Sequence, residues 1–198
     1  MFLIKLKLKL DNSSAKWCIM NCQKMHQHLM DLFSMSRKEA GVLYRFDIKN
    51  HVLYVLSSVW PQIHETSMFK VLGLKPVDDI ISSFVVNSCF SFNLLTYPYK
   101  TNFLTGKKTS IRDEDGIAAW LERKGRQHGF SVLSQNVFSR ITLFGSHKKD
   151  KGGDFYIPAV EIMGILKITD VEKFRQAFSC GIGSGKAYGL GMLLLRRM

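Results

Sequence analysis

The sequence predicts an α+β protein built from two tandem β-α-β-β-α-β units. Apolar residues alternate strictly at the start of the chain, and the period then lengthens to that of a helix. The same succession begins again near residue 88. With 198 residues, 46% of them hydrophobic, the chain is long enough to bury two small cores.

The elements follow in order. In Phe2–Leu10, side chains Ile4, Leu6, Leu8 and Leu10 share one face and Lys5, Lys7 and Lys9 the other, which predicts a half-buried strand. Asp11 to Ser14 supply turn and helix-capping residues. From Ser14 to about Phe33, apolar Cys18, Cys22, Met25, Leu29, Leu32 and Phe33 recur at helical spacing, predicting one amphipathic helix. Val42–Ile48 and His51–Ser58 read as two strands around the turn Lys49-Asn50. Pro61 opens a short helix, and a strand or strand pair covers roughly Leu72 to Val86. This order is the ferredoxin-like pattern.

The second half repeats it. Cys89–Lys100 reads as a strand, followed by a basic stretch and a helix over Asp113–Gly125. The segments "FSVLSQNVFSRITLFGSH" and "FYIPAVEIMGILKI" supply strands, Thr169–Gly181 a helix capped by Asp170 and ended by Gly181, and "YGLGMLLLRR" the last strand. We therefore expect two tandem ferredoxin-like (RRM-like) domains, residues 1–87 and 88–198.

The charge narrows the partner. Against 28 Lys and Arg stand 16 Asp and Glu, a formal net charge of +12. Such an excess favours a polyanion, because clustered cations gain affinity by displacing counterions from phosphates. The opening "MFLIKLKLKL" does not resemble a secretory leader, since its apolar run ends at Lys5. Ile80 to Tyr99 carry no charge, yet Ser82, Ser83, Asn87, Ser88, Ser91, Asn93 and Pro98 interrupt the stretch, so no membrane span is expected. Cys18, Cys22, Cys89 and Cys180 form no CxxC pair, which points to a reducing, cytoplasmic setting. Cys18, Cys22 and His26 are spaced four apart, but both cysteines lie in the apolar stripe and no fourth ligand is evident. They are expected to pack rather than bind zinc, and no metal or cofactor is expected.

The closing "SCGIGSGKAYGLGMLLLRRM" contains Gly-Ser-Gly-Lys, which suggests a phosphate loop. A Walker loop needs Gly where Cys180 stands and Ser or Thr where Ala187 stands, and it leaves a strand for a helix. This segment runs from helix to strand, so ATP binding is rejected. The glycines Gly181, Gly183, Gly185, Gly189 and Gly191 then serve either a tight connection or a loop that lets backbone approach RNA.

These residues carry a resemblance. Gly181-Ile182-Gly183, Lys186-Ala187, Gly189 and Gly191 resemble the closing loop of the CasE family, the pre-crRNA endoribonuclease subunits of Cascade within the repeat-associated (RAMP) superfamily. "HQHLMDLF" (His26–Phe33), "VLYRFD" and "IAAWLERKG" (Ile117–Gly125) are similar to further segments of that family, collinear over nearly the whole chain. The resemblance implies two ferredoxin-like domains and metal-independent cleavage of CRISPR repeat RNA beside a stem-loop. It also implies retention of the product and other Cascade subunits as partners. An RNA-hairpin-binding protein of the same fold without catalysis is the alternative.

By position, His26 matches the family's catalytic histidine, which implies a place at the leaving oxygen. It lies about 70° from the centre of the apolar stripe, a boundary position. The family carries a Tyr one turn earlier, where this chain has Gln23, a residue that donates hydrogen bonds but is no acid or base. The turn Ser146–Asp154 matches a basic hairpin that implies Lys148, Lys149 and Lys151 as RNA contacts, with Lys149 or Lys151 near the scissile phosphate. Read alone, this turn is equally a solvated tip. Lys100, Lys107, Lys108 and Arg112 form a second basic cluster that either tracks phosphates or pairs with nearby acids. Gly181, Gly183, Gly185 and Lys186 complete the expected RNA-binding set.

Overall fold

The computed structural model describes residues 1–62, 68–147 and 152–198. The chain divides into two compact units: Met1–Ile80 with Leu143–Ile157 and Lys186–Gly189, and Ile81–Thr142 with Pro158–Gly185 and Leu190–Met198.

The first unit is built on β1 (Phe2–Leu8), α1 (Ser13–Met20), α2 (Cys22–Met30), β2 (Leu43–Asp47), β3 (Val52–Ser57) and β4 (Phe69–Pro76). The sheet order is β2-β3-β1-β4, and β1 runs antiparallel to both neighbours. The predicted alternation of β1 holds: Ile4, Leu6 and Leu8 are at most 2% exposed, while Lys5 and Lys7 face solvent. Those side chains pack with Cys18, Met25, Leu29, Leu32 and Phe33 of the predicted helical stripe. Each such burial stabilises the fold by about 1.5–3 kcal/mol. The β2–β3 turn is held by Asp47, whose carboxylate accepts from the backbone N–H of Lys49 and Asn50.

Two departures from the sequence expectation shape the first unit. The helix expected from Ser14 to Phe33 is broken at Asn21, which is extended (φ −137°, ψ 103°). The strand expected over Leu72–Val86 starts earlier, at Phe69, and ends at Pro76, opposite Phe2 of β1. A short helix, α3 (Asp78–Ser82), follows, with two aspartates in its first turn. The short helix expected after Pro61 falls mainly on residues 63–67, outside the described residues.

The second unit contains β5 (Cys89–Thr96), β6 (Tyr99–Thr101), β7 (Lys108–Ser110), α4 (Glu114–His128), β8 (Phe130–Ser146), β9 (Asp154–Ile168), α5 (Val171–Cys180) and β10 (Leu193–Arg197). The sheet order is β10-β5-β9-β8. Both sheets thus flank their first strand with the third and fourth, and the protein is two tandem ferredoxin-like domains. Asp113 caps α4 by accepting from the Gly116 N–H, and Gly129 ends it in the left-handed region at φ 74°. Asp170 caps α5 and Gly181 ends it, as the sequence predicts. The α5 side chain Phe174 sits edge-on to Phe84 and Phe130, with centroids 4.9 and 6.0 Å away, at the centre of this core. β6 and β7 form a separate two-stranded ribbon within the basic stretch. The far ends of β8 and β9, Leu143–Ile157, group with the first unit.

Candidate active site

Asn21 sets the site's frame. It ends α1 and caps α2: its side-chain oxygen accepts from the Gln23 and Lys24 N–H at 3.0 and 3.1 Å. Its Nδ2 donates to Ser146 Oγ at 2.7 Å, so one buried side chain, 2% exposed, fastens the start of α2 to the end of β8. Gln23 stands in the first turn of α2 and His26 one turn later, both half-buried. This is the boundary position that the helical periodicity predicts for His26.

Lys186–Gly189, the part of the glycine-rich segment that belongs to the first unit, supplies the facing wall. Gly183 and Gly191 each have φ 86°, a backbone that L side chains avoid. A Cβ at Gly183 would lie 2.9 Å from Thr96 Oγ1, and one at Gly191 would lie 2.6 Å from the Ile182 carbonyl oxygen. Chain path and close packing therefore account for these two glycines. The segment then makes a 3-10 turn at Lys186–Tyr188. Within the first unit, the Tyr44 hydroxyl donates to the Ala187 carbonyl at 2.9 Å, and a Cβ at Gly189 would meet the Tyr44 ring at 3.1 Å.

That turn carries the Tyr188 ring to the His26 ring. Their centroids are 6.4 Å apart at an interplanar angle of 77°. Tyr188 also lies 5.0 Å from Phe155, whose ring stacks on His147 at 5.0 Å and 26°. Gly145 makes room, since a Cβ there would run into the Phe155 ring. Four rings, from α2, the residue just after β8, β9 and the closing turn, thus form one series in the first unit.

The electrostatics of the two facing rings diverge. Burial pushes the His26 pKa below its ordinary 6.5, and the positive charge of Arg37 adds to this. Its Nδ1 is buried without a hydrogen-bond partner among the described residues, so an imidazolium would be poorly solvated. Burial, followed by the neighbouring Cys22, raises the Tyr188 pKa above its ordinary 10.0. The ring pair is therefore neutral imidazole and neutral phenol at pH 7. Burial also raises the Cys18 and Cys22 thiols to about 11, and Cys18 Sγ contacts Met68 Sδ at 3.8 Å, as packed side chains do.

The remaining expected residues are distributed as follows. Lys100 on β6, Lys107, Lys108 on β7 and Arg112 are exposed on the second unit. Lys108 Nζ lies 4.6 Å above the Tyr99 ring. Gly181 and Gly185 also adopt positive φ, 77° and 78°, and belong with Gly183 to the second unit. Lys186 is half-buried in the closing turn, with the first unit. Lys148, Lys149 and Lys151 lie outside the described residues. The structure thus brings Gln23 and His26 together and adds Tyr188, Phe155 and His147, which sequence reasoning did not single out. No spacing rule links residues so distant in the chain. The one available signal was an aromatic residue inside the glycine-rich motif. Among the described residues, no helix is long and apolar enough to cross a membrane.

The fold defines the class: a tandem ferredoxin-like protein with a half-buried histidine near its start and a glycine-rich closing segment. The profile of the family described as CRISPR associated protein matches residues 1–197, and the chain belongs to that family. It is similar to the CRISPR-associated endoribonuclease Cse3 of Thermus thermophilus, at 26% identity over 98% of both chains. Its fold superposes on a solved Cse3 endoribonuclease bound to a 19-nt RNA with a TM-score of 0.84 and 26% identity, covering 99% of this chain and all of the other. The fold is also that of Cas6e from Escherichia coli K-12, with a TM-score of 0.78 at 21% identity over the full length of both.

Proposed function

We propose that this protein is an endoribonuclease that cleaves CRISPR repeat RNA beside a stem-loop, stays bound to the product, and works with other Cascade subunits. The observation that carries this reading is the end-to-end likeness to an RNA-bound Cse3 endoribonuclease. The net charge of +12 fits a polyanionic substrate.

The chemistry needs no metal, because the nucleophile is the RNA's own 2′-hydroxyl. That oxygen attacks the adjacent phosphorus, the P–O5′ bond breaks, and a 2′,3′-cyclic phosphate and a 5′-hydroxyl result. His26, held neutral, accepts the 2′-hydroxyl proton. Its lowered pKa suits acceptance better than the donation to the leaving oxygen that the resemblance implies. Gln23 positions the phosphate by hydrogen bonds, and the basic residues among 148–151 offset charge on the phosphorane.

The test is incubation of the full chain with a labelled repeat hairpin in EDTA. We expect cleavage with a cyclic-phosphate end, and a 2′-deoxy substitution at the cut that leaves binding intact and stops cleavage. Activity that EDTA abolishes and magnesium restores would overturn the metal-independent chemistry. Because Gln23 replaces a proton-transfer residue, a second reading stands: tight hairpin binding with no cleavage would identify a non-catalytic RNA-binding protein.

A further inference from the structure

Cleavage moves two protons, one from the attacking 2′-hydroxyl and one onto the departing 5′-oxygen. His26 serves the first. Gln23, one turn before it, has no ionisable proton and cannot serve the second. We propose that the Tyr188 hydroxyl is the second proton-transfer group, donating its proton to the 5′-oxygen as the P–O5′ bond breaks. This rests on the endoribonuclease reading above.

The geometry supports the assignment. A proton donor and acceptor must each come within about 3 Å of its oxygen, and both oxygens sit on one phosphorus. Two rings 6.4 Å apart, set edge to face, can bracket a single phosphodiester. Tyr188 is held from three sides: the Tyr44 hydroxyl fixes the carbonyl before it, Gly189 lets the chain lie on the Tyr44 ring, and Phe155 packs 5.0 Å from its own ring. Tyr188 is only half-buried, so the ring is not sealed in the core. The step balances. The 2′-hydroxyl proton goes to the imidazole and the phenol proton to the 5′-oxygen. The resulting imidazolium and phenolate then return to neutral by exchanging one proton, directly or through water. The opposed shifts of the two groups agree with these roles, since a base is needed unprotonated and an acid protonated at the same pH.

Tyr188→Phe tests this, because it keeps the ring contacts and removes only the hydroxyl. On the natural repeat hairpin we expect the single-turnover cleavage rate to fall by roughly 10²-fold or more at unchanged hairpin affinity. A second substrate replaces the bridging 5′-oxygen at the cut with sulfur. Its leaving thiolate, whose conjugate acid resembles a cysteine thiol with a pKa of about 8.5, departs without a proton. On it, Tyr188→Phe should match the wild type within a few-fold, while His26→Ala stays slow. If Tyr188→Phe cuts the natural hairpin at the wild-type rate, the proposal falls alone. If it is slow on both substrates, Tyr188 acts through packing and the proposal also falls. A wild type that cuts no repeat hairpin overturns the endoribonuclease reading, and this proposal with it.

Discussion

His26 combines two properties that a solvated surface histidine lacks: a ring nitrogen buried without a hydrogen-bond partner among the described residues and a pKa pressed below 6.5. Its boundary position means that truncation empties little core volume, so we expect His26→Ala to fold normally and bind the hairpin with near wild-type affinity. Cleavage should fall by roughly 10²–10⁴-fold, the usual worth of a general base. Gln23→Ala should cost much less, because glutamine only positions groups. A rate for His26→Ala equal to the wild type would remove His26 from the chemistry. The pH dependence follows from the same shift. A base is active unprotonated, so the rate should fall as pH drops, with its midpoint below 6.5. Stability shares the sign: between the folded and unfolded pKa values only the unfolded chain binds the proton, so acid weakens the fold in that window. A cleavage profile with its acid midpoint above 6.5 would contradict this assignment. The boundary position of His26 was legible in the sequence from helical periodicity, but its chemical role came only from the family resemblance. Tyr188 was not legible, because its place beside His26 depends on a turn fixed by Tyr44, and no local pattern encodes that contact.

At the scale of elements, the break at Asn21 decides where the histidine stands. A continuous helix would carry α1 and α2 on one axis, whereas Asn21 restarts the helix just ahead of the turn that holds His26. The apolar stripe through Cys18, Cys22 and Met25 hides this break, because helical spacing survives across it. An asparagine able to cap was the only local sign. We expect Asn21→Ala to destabilise the protein by about 1–2 kcal/mol, through loss of the cap and of the bond to Ser146, as read by urea unfolding. Ser146→Ala should cost less, and the pair should be less than additive because the two residues share that bond. Strict additivity would show that the Asn21–Ser146 contact contributes nothing. The end of β4 illustrates a different limit of sequence reading. The strand expected to run on past Pro76 gives way instead to α3, whose first turn holds Asp78 and Asp79. By contrast, α4 and α5 carried their own capping aspartates and terminating glycines, so their placement was legible.

Across the whole molecule, the tandem fold followed from the repeated succession of periods, since each ferredoxin-like unit must bury one face of its sheet under its helices. The charge was equally plain, but a net charge of +12 does not say which cations meet RNA. Lys100, Lys107 and Lys108 are exposed on and beside a narrow ribbon, a shape suited to following a phosphate backbone. Lys5, Lys70 and Lys75 are exposed on β1 and β4 of the other unit. Replacing either trio with glutamine lowers the net charge from +12 to +9 (12 − 3). The two variants therefore change the overall field alike and differ only in local contacts. If the ribbon tracks the stem, the Lys100, Lys107 and Lys108 variant should bind the hairpin more weakly. Its plot of log affinity against log salt should be shallower by roughly one unit for each phosphate that the ribbon no longer neutralises. If the face of β1 and β4 makes no phosphate contact, the Lys5, Lys70 and Lys75 variant should keep the wild-type slope, because a charge that neutralises no phosphate releases no condensed counterion. Equal losses in both would assign the binding to the general field of the protein, and an unchanged slope in both would remove the ribbon from the RNA path.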